Sequence, residues 1–191
     1  MIENVIKEIN YLVKVYGQNG FFGDGNKSLD YPGSIPYAED VKVFYSKYNP
    51  VEKVFFDFGS SVLYIFPLEE LANLQSGYRF GSDGAENSEW KNSFVIGLFD
   101  DEPIIVEAIN DTAVIKASFE SGCHFEISEN IEMFFNAVLC VLNIQYIEFG
   151  NEPLDDVSLD FKPEFIKSLR NELFKVLGDK YISNFIGFFF G

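Results

Sequence analysis

The spacing of apolar residues predicts helices at both ends of the chain. Near the N-terminus, apolar side chains recur at three- and four-residue intervals, and this pattern ends at Gly17. The same spacing returns from Ile131 to Leu142 and from Phe165 to Leu177. Pro163 suits the first turn of the last of these helices, and Gly178 is typical of a helix end.

Three residues predict where other helices begin. Pro36 and Pro67 can each open a short helix, because the first turn does not use the N–H that proline lacks. Ser128 can cap the helix that starts near Ile131, since its hydroxyl can accept a hydrogen bond from a first-turn N–H.

The middle of the chain has the pattern of several short strands. Two β-rich segments flank Gly59–Ser60, a pair typical of a tight hairpin. Two further segments, FVIGLF and IIVEAI, are almost continuously apolar, as in strands covered on both faces, and a third, TAVIKASF, follows the turn signal Asn110–Asp111. Helices, then strands, then helices predict an α+β fold, with an antiparallel or mixed sheet and helices packed on one face.

An acidic stretch, Asp100, Asp101 and Glu102, lies between two of these strands and is followed by Pro103. Acids in such a position keep a hairpin tip in water. A calcium site normally takes ligands from a longer loop, and a catalytic acid needs a carboxyl whose pKa is raised by burial. We therefore predict a solvated hairpin tip. The less favoured alternatives are a metal site and a hydrolase that uses Asp100, Asp101 or Glu107.

A second acidic segment runs from Gly81 to Trp90. The tryptophan can cover the end of the sheet or serve as an aromatic contact for a partner within an acidic rim. The segment and the hairpin tip leave strand 94–99 at opposite ends, so they form one patch only if sheet twist or loop length brings them together. The candidate partner-binding residues are Asp83, Glu86, Glu89, Trp90, Asp100, Asp101 and Glu102.

The sequence offers little for catalysis. Cys123 and His124 are neighbours, and in a strand their side chains would point to opposite faces. No phosphate-binding loop, dinucleotide fingerprint or nucleophile elbow is present. We predict no catalytic residue, no cofactor and no metal site.

Charge and composition limit the class of partner. The 191 residues contain 30 acids and 14 bases, a formal net charge of −16. This charge repels nucleic acid and anionic membranes and favours a basic protein partner. Cys123 and Cys140 form no disulfide framework, and the N-terminus lacks a signal peptide, so we predict a cytoplasmic protein.

The apolar tail is too short to span a membrane, which takes about 20 apolar residues. Ile182, Phe185, Ile186 and Phe189 follow helical spacing, so we predict that the tail packs on the core and does not bind membrane.

The order of several motifs resembles a known family. A proline-started helix (SIPYAEDVKVFYSKYNP) is followed by VLYIFPLEEL, a loop with Trp90, the hairpin FVIGLFDDEPIIVE, the strand TAVIKAS and the helix ISENIEMFFNAVL. This succession, from about Ser34 to Asn143, is similar to the SUKH superfamily, the cell-wall-assembly-regulator-like group of bacterial immunity proteins.

The resemblance implies a SUKH-like α+β domain over residues 1–191, with a core of about 34–143, an N-terminal helix and a C-terminal helical extension. It further implies a non-enzymatic immunity protein that binds and neutralises a polymorphic toxin, many of which are nucleases. The alternative is a regulatory or scaffold module that binds a cellular protein. The strong negative charge fits a basic toxin domain, since complementary fields speed association.

Overall fold

The chain folds into five helices and six strands over the residues described by the structure, a computed structural model covering 2–23, 30–109, 112–119 and 122–191. The helices are α1 (Ile2–Val15), α2 (Glu39–Tyr48), α3 (Leu68–Leu74), α4 (Ile131–Asn143) and α5 (Pro163–Phe190). The strands are β1 (Val54–Phe58), β2 (Ser61–Ile65), β3 (Ser93–Phe99), β4 (Glu102–Ile109), β5 (Thr112–Ser118) and β6 (His124–Ser128). A 3₁₀ turn occupies Ser88–Trp90, and a π-helical turn, Ile144–Glu148, follows α4.

The six strands pair in chain order, and every pair is antiparallel. Gly59–Ser60 forms a two-residue turn between paired Phe58 and Ser61, as predicted. The α+β class is therefore confirmed, with a sheet that is wholly antiparallel. The predicted turn at Asn110–Asp111 lies outside the described residues.

Alternation of side chains along the strands divides them between two faces. Phe56, Leu63, Val106 and Ile115 are fully buried on the face that carries the main core, together with apolar residues from all five helices. On the opposite face, here called the outer face, Trp90, Val95 and Ile105 form a separate small cluster. The helices therefore pack mainly on one face, as predicted, and the segment after α3 covers part of the other.

The C-terminal segment belongs to the core. Helix α5 is interrupted at Gly178, whose φ of 67° lies in the left-handed region that glycine adopts without a steric penalty. Beyond this kink, Phe185 and Phe189 are buried, and the Phe189 ring lies 5.4 Å from that of Phe58 and 4.9 Å from that of Phe99. The predicted packing of the tail is confirmed.

Two predicted helix starts were wrong by two or three residues. Helix α2 begins at Glu39 rather than at Pro36, and the extended residue before it is Ala38. The cap of α4 is Asn130, whose Oδ1 accepts a hydrogen bond from Met133 N. Ser128 instead ends β6, where its buried hydroxyl donates to the Asn130 carbonyl.

Side chains and loops bond to some backbone groups that the strands leave unpaired. Gln75, just after α3, pairs with both backbone groups of Val95 and so takes the place of a strand where β2 ends. At the β1 edge, Phe55 N donates to Asn19 O, and at the β6 edge the Asn184 amide donates to Glu126 O. Each such bond leaves one fewer backbone group free to pair with another chain.

Among the residues that the structure describes, one segment has the length and composition of a membrane span. This segment, Ile131–Glu148, comprises α4 and the π-helical turn, and 56% of it is buried inside the fold. This stretch contains the central helix of the core, which packs against α1, α5 and the sheet.

Candidate partner-binding surface

The predicted hairpin tip is exposed. Asp100 and Asp101 form the two-residue turn between paired Phe99 and Glu102, and both are exposed, whereas Glu102 is half-buried as the first residue of β4. Asp100 has a φ of 51°, its N–H donates to Val62 O, and its Oδ1 accepts from Val62 N. Asp100 therefore fastens the tip to β2, and Asp101 presents the freer carboxylate.

The acidic loop is also exposed but folds back on itself. Every residue from Gly81 to Glu89 is exposed. Asp83 Oδ1 accepts a hydrogen bond from Ala85 N, and Asn87 Oδ1 accepts one from Glu89 N. Local hydrogen bonds of this kind hold turns in place, so the loop displays its acids from a defined backbone.

Arg79 anchors this loop from below. Its guanidinium is buried and donates to the carbonyls of Trp90, Lys91 and Ser93 at 2.9, 2.8 and 3.2 Å. It also forms a salt bridge with Glu86. Glu86 is thus the counterion of a buried arginine, and its contact with a partner stays a prediction.

Trp90 does not reach the surface. Only 2% of the residue is exposed, and it packs against Val95 and Ile105 on the outer face. Its ring lies 5.6 Å from that of Tyr78 and 4.5 Å from that of His124. The reading of Trp90 as a partner-binding aromatic therefore fails on accessibility, and the alternative, a cover over the sheet, describes its position.

Tyr78 links the acidic loop to the hairpin tip, a contact that the sequence did not indicate. Its hydroxyl donates to the Asp101 carbonyl over 3.3 Å, while its ring contacts Trp90. Burial raises the pKa of Tyr78, and the nearby carboxylates of Glu102 and Asp101 raise it further. The two acidic segments thus belong to one strip across the outer face, running from Asp101 past Tyr78 and over the buried Trp90 to Glu89.

The strip ends in a shallow cleft beside β6. Glu89, Gly122, Cys123 and His124 line this space of about 390 Å³. Burial lowers the pKa of His124, Lys116 lowers it further, and Glu107 and Glu89 oppose the change. The imidazole is therefore neutral at physiological pH. Among the described residues no group of three metal-binding side chains comes together.

A larger cavity than this cleft lies elsewhere, between α2, α4 and β5. It measures about 640 Å³, and Asp40 and Phe44 are among the residues that line it. Asp40 accepts hydrogen bonds from Val41 N and Ala113 N, and burial raises its pKa. These bonds tie α2 to β5, so Asp40 has a structural role in this cavity.

Comparisons with family models, curated proteins and solved structures found no match for this chain. The resemblance to the SUKH superfamily therefore stays a prediction.

Proposed function

We propose that this protein works by stoichiometric binding: it is an immunity protein of the cytoplasm that occludes a basic toxin domain. The contact is the acidic strip of the outer face, represented by Asp83, Glu89 and Asp101. Binding needs no group with a catalytic pKa, only an exposed and complementary surface.

The observation that carries the proposal is the meeting of two acidic segments at Tyr78. Asp101 and the loop of Asp83 and Glu89 are exposed, and the Tyr78 hydroxyl bonds the Asp101 carbonyl. The whole chain carries a formal charge of −16, so its electrostatic field already attracts a basic protein. The strip adds a local concentration of negative charge to that field.

The burial of Trp90 changes the expected energetics. An exposed tryptophan would supply a hot spot and slow dissociation. With Trp90 beneath the surface, charge contributes most of the recognition, so we expect mutations in the strip to act on the association rate and on its dependence on salt.

Co-expression with the toxin encoded beside this gene tests the proposal. The protein should restore growth, and the charge-reversal variant D83K/E89K/D101K should restore less. A matched variant, D30K/E52K/D179K, changes the net charge equally at exposed positions outside the strip and should rescue as the wild type does. Equal loss in both variants would indicate a general charge effect, and rescue by neither the wild type nor any variant would contradict the proposal.

A further inference from the structure

A second surface with unusual exposure lies around the loop between the π-helical turn and α5. This loop, residues 151–161, displays Val157 and Leu159 with 92% and 70% of each residue exposed. Large aliphatic side chains left this far in water contribute nothing to the core. A pair of them, two positions apart in an acidic setting, is the composition of an apolar contact with a polar rim.

The backbone of the loop is closed on itself. Asp155 N donates to Asp160 O, and Leu159 N donates to Asp155 O, at 2.8 and 3.0 Å. Asp155 Oδ1 accepts from both Val157 N and Ser158 N, and these bonds lower the pKa of Asp155 and keep it ionised. Because little loop motion is left to lose, a partner that covers Val157 and Leu159 faces a small entropic cost.

Leu159 has a φ of 62°, a conformation that a bulky side chain rarely adopts. In the free protein this conformation brings no burial in return, since the side chain stays in solvent. Burial of the Leu159 side chain therefore does not offset this backbone conformation.

A cleft of about 240 Å³ adjoins this loop at the end of β1. It is lined by Asp57, Glu152 and Asp156, with Asn151 and Leu154 beside them. Asp57 is half-buried, burial raises its pKa, and no described residue donates a hydrogen bond to its carboxylate.

Gln145 lies beneath this cleft and connects two of the residues that line it. The residue is completely buried, and its Nε2 donates to Asp57 O and Asn151 Oδ1, which belong to two residues of the cleft lining. Its Oε1 accepts no hydrogen bond from any described group. A buried amide oxygen without a donor is uncommon in folded proteins.

We propose that this surface docks a basic protein segment, with aliphatic side chains against Val157 and Leu159 and a lysine or arginine in the cleft of Asp57, Glu152 and Asp156. Charge decides the occupant: Glu152, Asp155, Asp156 and Asp160 surround the aliphatic pair, and Lys162 is the one base between Glu148 and Glu164. This surface and the acidic strip consist of different residues. The two proposals have only the class of partner, a basic protein, in common.

A library of random short peptides displayed on phage tests this surface without the toxin. The full-length protein is the bait, and the variants are V157S/L159S and, as a control, V51S, which removes another exposed valine. Val51 precedes the opposite end of β1 from the loop. Because all three side chains are exposed, we expect the variants to melt at the wild-type temperature.

The expected result is enrichment of peptides that carry lysine or arginine beside apolar residues. They should bind the wild type and V51S alike, and V157S/L159S about tenfold more weakly. The proposal is overturned if no peptide is enriched, if the enriched peptides lack basic residues, or if V157S/L159S binds them as the wild type does. A failed toxin rescue leaves this result intact, so the two proposals fail separately.

Discussion

Replacing Arg79 with methionine should be among the most destabilising changes outside the main core. The substitution keeps the apolar stem and removes a guanidinium that donates to three backbone carbonyls and pairs with Glu86. The carbonyls of Trp90 and Ser93 lie in a buried environment, so they lose their charged donor without gaining water.

The magnitude follows from these contacts. Hydrogen bonds from a charged donor are each worth about 1.5–3 kcal/mol, and desolvation of the guanidinium offsets part of their sum. A buried carbonyl that loses its donor costs about 1–3 kcal/mol, so with two such carbonyls R79M should cost roughly 2–6 kcal/mol. Glu86, whose side chain is 45% exposed, can return to water, so E86Q should cost only about 1 kcal/mol.

Urea unfolding of R79M, E86Q and the control R170M measures the change in the free energy of unfolding that each substitution causes. Arg170 is an exposed residue of α5, so its replacement tests the loss of a surface arginine alone. We expect R170M to change the free energy of unfolding by no more than about 0.5 kcal/mol. An R79M loss below about 1 kcal/mol, or an E86Q loss equal to that of R79M, would refute the reasoning, because the carbonyl bonds would then not carry the network.

Two further predictions concern the tail and the histidine. Truncation after Gly178 removes four buried aromatic residues, Phe185, Phe188, Phe189 and Phe190. Because each buried aromatic contributes about 1.5–3 kcal/mol, the truncated chain should lack a cooperative melting transition by circular dichroism. A sharp melt would contradict this prediction. Burial lowers the folded-state pKa of His124, so the stability that this residue contributes is present above its unfolded pKa of about 6.5 and is lost as pH falls through the lower folded value. Thermal melts should therefore show that the wild type loses more stability than H124Q between neutral and mildly acidic pH. Parallel curves for the two proteins would contradict the burial argument.

Local patterns sufficed for the order of elements and for the hairpin turns. The predictions for Gly59–Ser60 and for the exposed tip at Asp100 and Asp101 rest on residues close in sequence, where alternation and turn chemistry act directly. Helix starts were less well predicted, since Pro36 and Ser128 are compatible with a first turn or cap without requiring it.

The candidate surface was predicted only in part, because its decisive contacts join distant residues. The sequence shows that the loop and the tip are acidic. No local pattern indicates that the Tyr78 hydroxyl bonds to Asp101 or that Arg79 forms a salt bridge with Glu86. Trp90 had two plausible environments in the sequence, and only the packing of Val95 and Ile105 beneath it decides between them. The exposure of Val157 and Leu159 ran against the ordinary preference of such residues for the core.

The most direct test of stoichiometric binding is the association kinetics of the full-length protein with the toxin domain encoded beside its gene, measured at several salt concentrations. We predict a one-to-one complex whose association rate falls steeply with salt, and falls about tenfold or more in D83K/E89K/D101K at low salt while D30K/E52K/D179K stays close to the wild type. Absence of a complex, or an association rate indifferent to both salt and the strip variant, would contradict the account.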